Sequence, residues 1–174
     1  MHMVYVAYET GRTPPEIQMR ARLPAPHDAS MTTRPAPVHR TVVPTLFPPP
    51  GYAHAAVVEA GARLAFMAGS VPLDADGKLV GEGDPVRQAH QVVANLDEAL
   101  RAIGSDLSQV VASTVYVVGD EPGVLSEVWE VVRASGLLNT RPHTSTLLGV
   151  TVLGYAGQLV EITATAVVPD GAGA

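Results

Sequence analysis

The chain has 174 residues, 47% of them apolar, with no cysteine and a formal net charge of −6. Such a length carries one domain with a real core, and the missing cysteines exclude disulfides, thiolate nucleophiles and zinc–sulfur sites, which fits a reducing, cytoplasmic setting. From Gly51 onward six Lys or Arg stand against fourteen Asp or Glu, a balance of −8, too acidic for a phosphate-backbone binder, so no nucleic-acid partner is expected.

The N-terminal stretch "MHMVYVAYETGRTPPEIQMR" lacks the basic-then-apolar order of a secretory signal. No apolar run in the chain nears the ~18 residues of a membrane span, so no membrane association is expected. Ten of the fifteen prolines fall in residues 1–50. Proline lacks a backbone donor and interrupts regular ladders, so residues 1–38 read as an arm or extension, 39–169 as the folded domain and 170–174 as a flexible tail. Met31 is a candidate translation start, which would make residues 1–30 an extension; mass spectrometry of the native N-terminus tests this.

Past Gly51, "YAHAAVVEAG" and "ARLAFMAGSV" are two apolar runs parted at Gly61 and Ala62, read as a β-hairpin. "LDADGKLVGEGD" is a turn-rich loop. Asp84 then caps a helix with Pro85 at its first position. Val86, Ala89, Val93, Leu96, Leu100 and Ile103 form its apolar stripe, and Gly104 closes it. "QVVASTVYVV" is a buried strand. A second helix runs from Pro122 to about Ser135, stopped by Gly136, and strands follow near Thr144–Thr151 and Gln158–Val168. In the last strand Val160, Ile162, Ala164, Ala166 and Val168 alternate with Glu161, Thr163 and Thr165, so the first set faces the helices and the second faces away. The order β-β-α-β-α-β-β is an α+β fold with both helices on one sheet face. The other face mixes polar and apolar groups and calls for a cover. Charged residues are only 16% of the chain, below the roughly 25% of average proteins, and a subunit interface accounts for both observations.

Six segments in order resemble the RidA/YjgF family, also called endoribonuclease L-PSP: "PPPGYAHAAVV", "MAGSVPLDADG", "QAHQVVANLDEALRAIG", "VVASTVYVV", "RPHTSTLLGV" and "GQLVEITATAVV". The likeness runs from about Pro44 to Val168. It implies a chorismate-mutase-like fold, a homotrimer, and small-molecule clefts between subunits. It also implies hydrolysis of enamines and imines, above all 2-imino acids, without a cofactor. In the family an arginine grips the substrate carboxylate, while a tyrosine and a glutamate line the cleft.

Carried onto this sequence, the resemblance makes Tyr52 and Glu161 the candidate catalytic pair, with Glu161 positioning the attacking water. Gly69 matches a glycine at which backbone approaches ligand. Ser70 stands for a glutamine, and Ser126 stands one helical turn before Trp129, about where many members have an asparagine. Aligning Pro142 and Ser145 puts His143 at the family alanine and Thr144 at its arginine. A threonine hydroxyl cannot fork onto a carboxylate, so a divergent member is expected, one that is not a standard 2-imino acid deaminase. Arg141, three residues before Thr144, is a candidate substitute. His54 and His143 bring titratable rings to the cleft, without the spacing of a metal site. Two functions stay open at this point: a cofactor-free hydrolase of imines, enamines or related carbonyl compounds, and a non-catalytic metabolite-binding trimer. The ribonuclease of the family's older name conflicts with the acidic charge.

Overall fold

The computed structural model describes residues 38–138 and 142–170. The expectations for residues 1–37, for Met31, for Arg141 and for residues 171–174 lie outside that range. The elements are β1 (Val38–Thr41), β2 (Ala55–Val58), β3 (Arg63–Ser70), α1 (Pro85–Ala102), a 3-10 turn (Leu107–Gln109), β4 (Val110–Val118), α2 (Pro122–Ala134), β5 (Thr144–Val150) and β6 (Val160–Val168).

Helix α1 starts where its cap chemistry dictates. The Asp84 carboxylate accepts the Arg87 N–H at 2.9 Å, and Pro85 takes the first helical position. Gly104, at φ +74°, ends it, and the Ser105 N–H closes back on the Leu100 carbonyl at 2.9 Å. Ala89, Val92, Leu96 and Leu100 are its buried apolar residues. Val93 is only half-buried, and Ile103, the helix C-cap, is exposed. The face is turned from the expected stripe because Gln88 is also fully buried, satisfied by three hydrogen bonds that hydropathy does not reveal. Helix α2 buries Val128, Trp129 and Val132 against the same core.

The four-stranded sheet has the order β3-β6-β4-β5. Strands β3 and β6, and β6 and β4, run antiparallel; β4 and β5 are parallel and joined through α2, as a parallel pair requires a crossover. Val160, Ile162, Ala164 and Ala166 of β6 enter the core with Val115 and Val117 of β4. This is the mixed sheet with two helices that the α+β reading predicted.

The expected hairpin between the runs "YAHAAVVEAG" and "ARLAFMAGSV" is not formed. Strand β2 pairs with β1 in a separate two-stranded sheet, and β3 pairs with β6. The tight turn at Gly61 (φ +87°) is present, but the ladder edge of β2 is taken by Val38–Thr41. That strand, four residues with a single apolar side chain, falls where the arm was expected to give way to the domain.

Candidate functional site

Strand register fixes what the sheet presents on its uncovered face. Thr114 of β4 pairs with Thr146 of β5 and Thr163 of β6, while Ala112 pairs with Thr144 and Thr165. Side chains alternate along strands, so these threonines share one face. They line an open cavity of about 500 Å³ that Tyr52, His54 and Phe66 also border. No Lys, Arg, Asp or Glu is among its described lining residues. The Thr144 hydroxyl donates to the Val111 carbonyl at 3.1 Å. Phe66, 80% exposed, stands at the rim.

Tyr52 and Thr144 therefore meet in one cavity, and Glu161 does not join them. Glu161 pairs with Tyr116, four residues along β4 from Ala112, which is about 13 Å at a rise of ~3.3 Å per residue. There its carboxylate accepts from Gln158 Nε2 at 3.0 Å and lies flat on Gly69. A Cβ built on Gly69 would come within 2.0 Å of Glu161 Oε1. The missing side chain thus makes room for this carboxylate, and Gly69 and Glu161 form one unit. Gly69→Ala is expected to push the carboxylate off Gln158. Because the clash is with the movable end of the side chain, stability should fall by only about 1 kcal/mol, measurable by thermal unfolding, while a crystal structure shows Glu161 displaced.

The other candidates fall elsewhere. The Ser70 hydroxyl donates to the Val92 carbonyl of α1 at 2.8 Å, so it faces the helices. The Ser126 hydroxyl donates to the Pro122 carbonyl at 2.9 Å, within its own helix. Trp129 backs the site: its ring meets Tyr52 edge-on, centroids 6.2 Å apart, and its Nε1–H donates to the Pro50 carbonyl at 3.3 Å. His54 borders the cavity, but Nδ1 accepts the Val43 N–H at 2.9 Å and Nε2 lies 3.2 Å from the Phe47 carbonyl oxygen, so both nitrogens tie down backbone.

Ser145 borders the cavity, yet its hydroxyl lies 2.9 Å from that of Ser113, which lies 2.8 Å from His143 Nε2. His143 is fully buried. Burial first, then the field of the Arg40 guanidinium, pull its imidazole down to about 4, against a smaller upward pull from the Leu137 carbonyl. Among the described residues no group of three His, Asp or Glu is placed to hold a metal. The alternation of the last strand already sets Thr163 and Thr165 on the uncovered face; Thr114 and Thr146 join them through strand pairing that local sequence does not show. Gln158, the expected start of the last strand, lies just before β6 (Val160–Val168), and its hydrogen bond to Glu161 carried no sequence signal.

The model of the endoribonuclease L-PSP family matches residues 47–168. The chain belongs to this family, the RidA/YjgF group. Among L-PSP relatives of known structure, the Rid family protein YyfB of Yersinia pestis, whose function is unknown, is 34% identical. It superimposes with a TM-score of 0.70 over 75% of this chain and 98% of its own. A Thermotoga maritima protein described as a putative endoribonuclease is 26% identical, TM-score 0.52, over 74% of this chain and 91% of its own. Protein DfrA of Myxococcus xanthus is 36% identical over 80 residues, 46% of this chain; the match spans 59% of DfrA's length. No helix among the described residues of this L-PSP member is long and apolar enough to cross a membrane.

Proposed function

We propose that this L-PSP family member acts as a homotrimer with small-molecule clefts between subunits. It hydrolyses imines, enamines or related carbonyl metabolites that carry no α-carboxylate, without a cofactor. Water adds across the C=N bond, the C–N bond then breaks, and the products are a carbonyl compound and ammonia or an amine. The observation that carries the reading is the uncharged cavity around Thr144, the position where family resemblance puts a carboxylate-binding arginine. A hydrogen bond to a charged group is worth about 1.5–3 kcal/mol, so the loss of one such bond to the carboxylate weakens 2-imino acid binding ~10–100-fold.

The trimer enters through the separation of the two half-sites. Tyr52 and Thr144 lie at one end of the sheet face and Glu161 at the other. One copy cannot bring them to a common substrate, whereas Glu161 of the partner subunit can complete the cleft as the water-positioning carboxylate. Family members are typically homotrimers, which supports this arrangement. The acidic folded part argues against a ribonuclease.

The test generates 2-iminobutyrate in place with an amino-acid oxidase and follows ammonia or semicarbazone formation. The natural protein should show little acceleration, and Thr144→Arg should gain roughly 10–100-fold. Acceleration by the natural protein comparable to that of an arginine-bearing relative overturns the reading. Glu161→Gln should remove turnover of neutral imines. A second reading, a binding trimer without chemistry, is favoured by the engagement of Glu161 with Gln158. Thermal stabilisation by a neutral metabolite, with no turnover of any imine, selects it.

A further inference from the structure

Among the described residues His143 is the one fully buried titratable side chain, and hydrolysis as proposed above gives it no task. Its surroundings are specific. Ring atom Nε2 lies 2.8 Å from Ser113 Oγ on β4, and Ser113 in turn touches Ser145 on β5. Its backbone carbonyl accepts the N–H of Ala53 at 2.9 Å. Ala53 is buried and sits between Tyr52 and His54, both of which border the cavity. His143 also directly precedes Thr144. One residue is therefore gripped through its ring by the central sheet and grips, through its carbonyl, the loop that carries Tyr52.

We infer that His143 is a positioning residue of the cleft, holding the Tyr52 loop in place against the start of β5. Rotation of the ring out of its pocket shifts the carbonyl that Ala53 uses, and with it the distance between Tyr52 and Thr144. The groups around the ring are Ser113 from β4, Ser145 from β5, the Leu137 carbonyl beyond α2 and the Arg40 guanidinium from β1. Arg40 is the only charge among them, and it opposes a second positive charge. Acid therefore releases the grip as well as charging the ring. The inference rests on reading this cavity as the ligand cleft, but the experiment reads geometry and not turnover.

Hydrogen exchange of the Ala53 amide is followed by NMR in the full chain, together with emission of Trp129, the only tryptophan, whose ring contacts Tyr52. At pH 7, His143→Ala should speed Ala53 exchange at least tenfold, while the Val92 and Leu96 amides in α1 keep their protection. His143→Asn, which retains a polar atom toward Ser113, should recover part of the loss. Lowering the pH toward 4 should loosen Ala53 and shift Trp129 emission in the natural protein, and His143→Asn should abolish that step. If His143→Ala does not fold, Ser113→Ala gives the same reading by removing the ring's partner. Unchanged Ala53 protection, or an acid step that persists in His143→Asn, overturns the inference. A protein that turns over no imine but shows these changes loses the proposed activity and keeps the positioning role; imine turnover with unchanged Ala53 exchange is the converse.

Discussion

Gln88→Leu is expected to lower the unfolding free energy by about 3–5 kcal/mol. The side chain is fully buried. Its amide donates to the Gly81 carbonyl at 3.0 Å and the Gly157 carbonyl at 2.9 Å, and its oxygen accepts the Leu159 N–H at 2.7 Å. Leucine keeps nearly the same volume and leaves three backbone groups without partners. Each unsatisfied buried group costs about 1–3 kcal/mol, and some relaxation of the two loops lowers the sum. Urea denaturation at one fixed protein concentration measures it; a change below about 1 kcal/mol would show that water replaces all three bonds. Leu159 leads directly into Val160 and Glu161, so the same substitution should loosen the glutamate end of the site. Gln88 thus joins the loop before α1 to the loop before β6, two segments that make no common ladder.

Acid is expected to remove about 3 kcal/mol of stability through His143 alone. The ring titrates near 6.5 when unfolded and at about 4 in the fold. Between those values the unfolded chain binds a proton that the folded chain refuses. Stability is therefore complete above about 6.5 and declines as the pH falls toward 4, where the dependence levels off. Glu130 adds a separate effect at lower pH, because its hydrogen bond with Arg133 holds its carboxyl below the ordinary 4.5. Denaturation curves from pH 8 to pH 4 should slope in the natural protein and flatten in His143→Asn. An equal slope in the variant would assign the dependence to other groups.

The readable parts of the chain were those set by local chemistry. Asp84, Pro85 and Gly104 bounded α1, and the alternation in β6 separated Val160, Ile162, Ala164 and Ala166 from Glu161, Thr163 and Thr165. What sequence left hidden depended on distant partners. The Gln88 bonds turn the α1 face, β1 captures β2, and Gln158 holds Glu161. Thr144 and Ser145 are adjacent on β5, and adjacent strand residues face opposite ways. The hydroxyl of Ser145 consequently belongs to the Ser113–His143 chain. The half-site separation was invisible for a further reason: the distance from Thr144 to Glu161 is set by the pairing of three strands.

Strand β3 changes phase midway. Met67 pairs with Ala164 and Ser70 with Ile162, so one extra residue is accommodated on β3 between them. Upstream of that bulge an even-numbered residue, Phe66, looks toward the cavity; downstream another even-numbered residue, Ser70, looks toward α1. A single strand therefore serves two clients of opposite side, the cleft and the helix layer, without a break in the chain. Beyond the bulge, Asn95 receives the strand's continuation by donating to the Val71 and Leu73 carbonyls, each at 2.8 Å. Loss of one residue at Ala68 or Gly69 would remove the bulge and leave Ser70 opposite Ile162 in an unbroken ladder, still facing α1. The bulge thus separates the two duties along the strand, so a side chain exchanged at Phe66 alters the cleft rim without disturbing the hydrogen bond of Ser70 to α1.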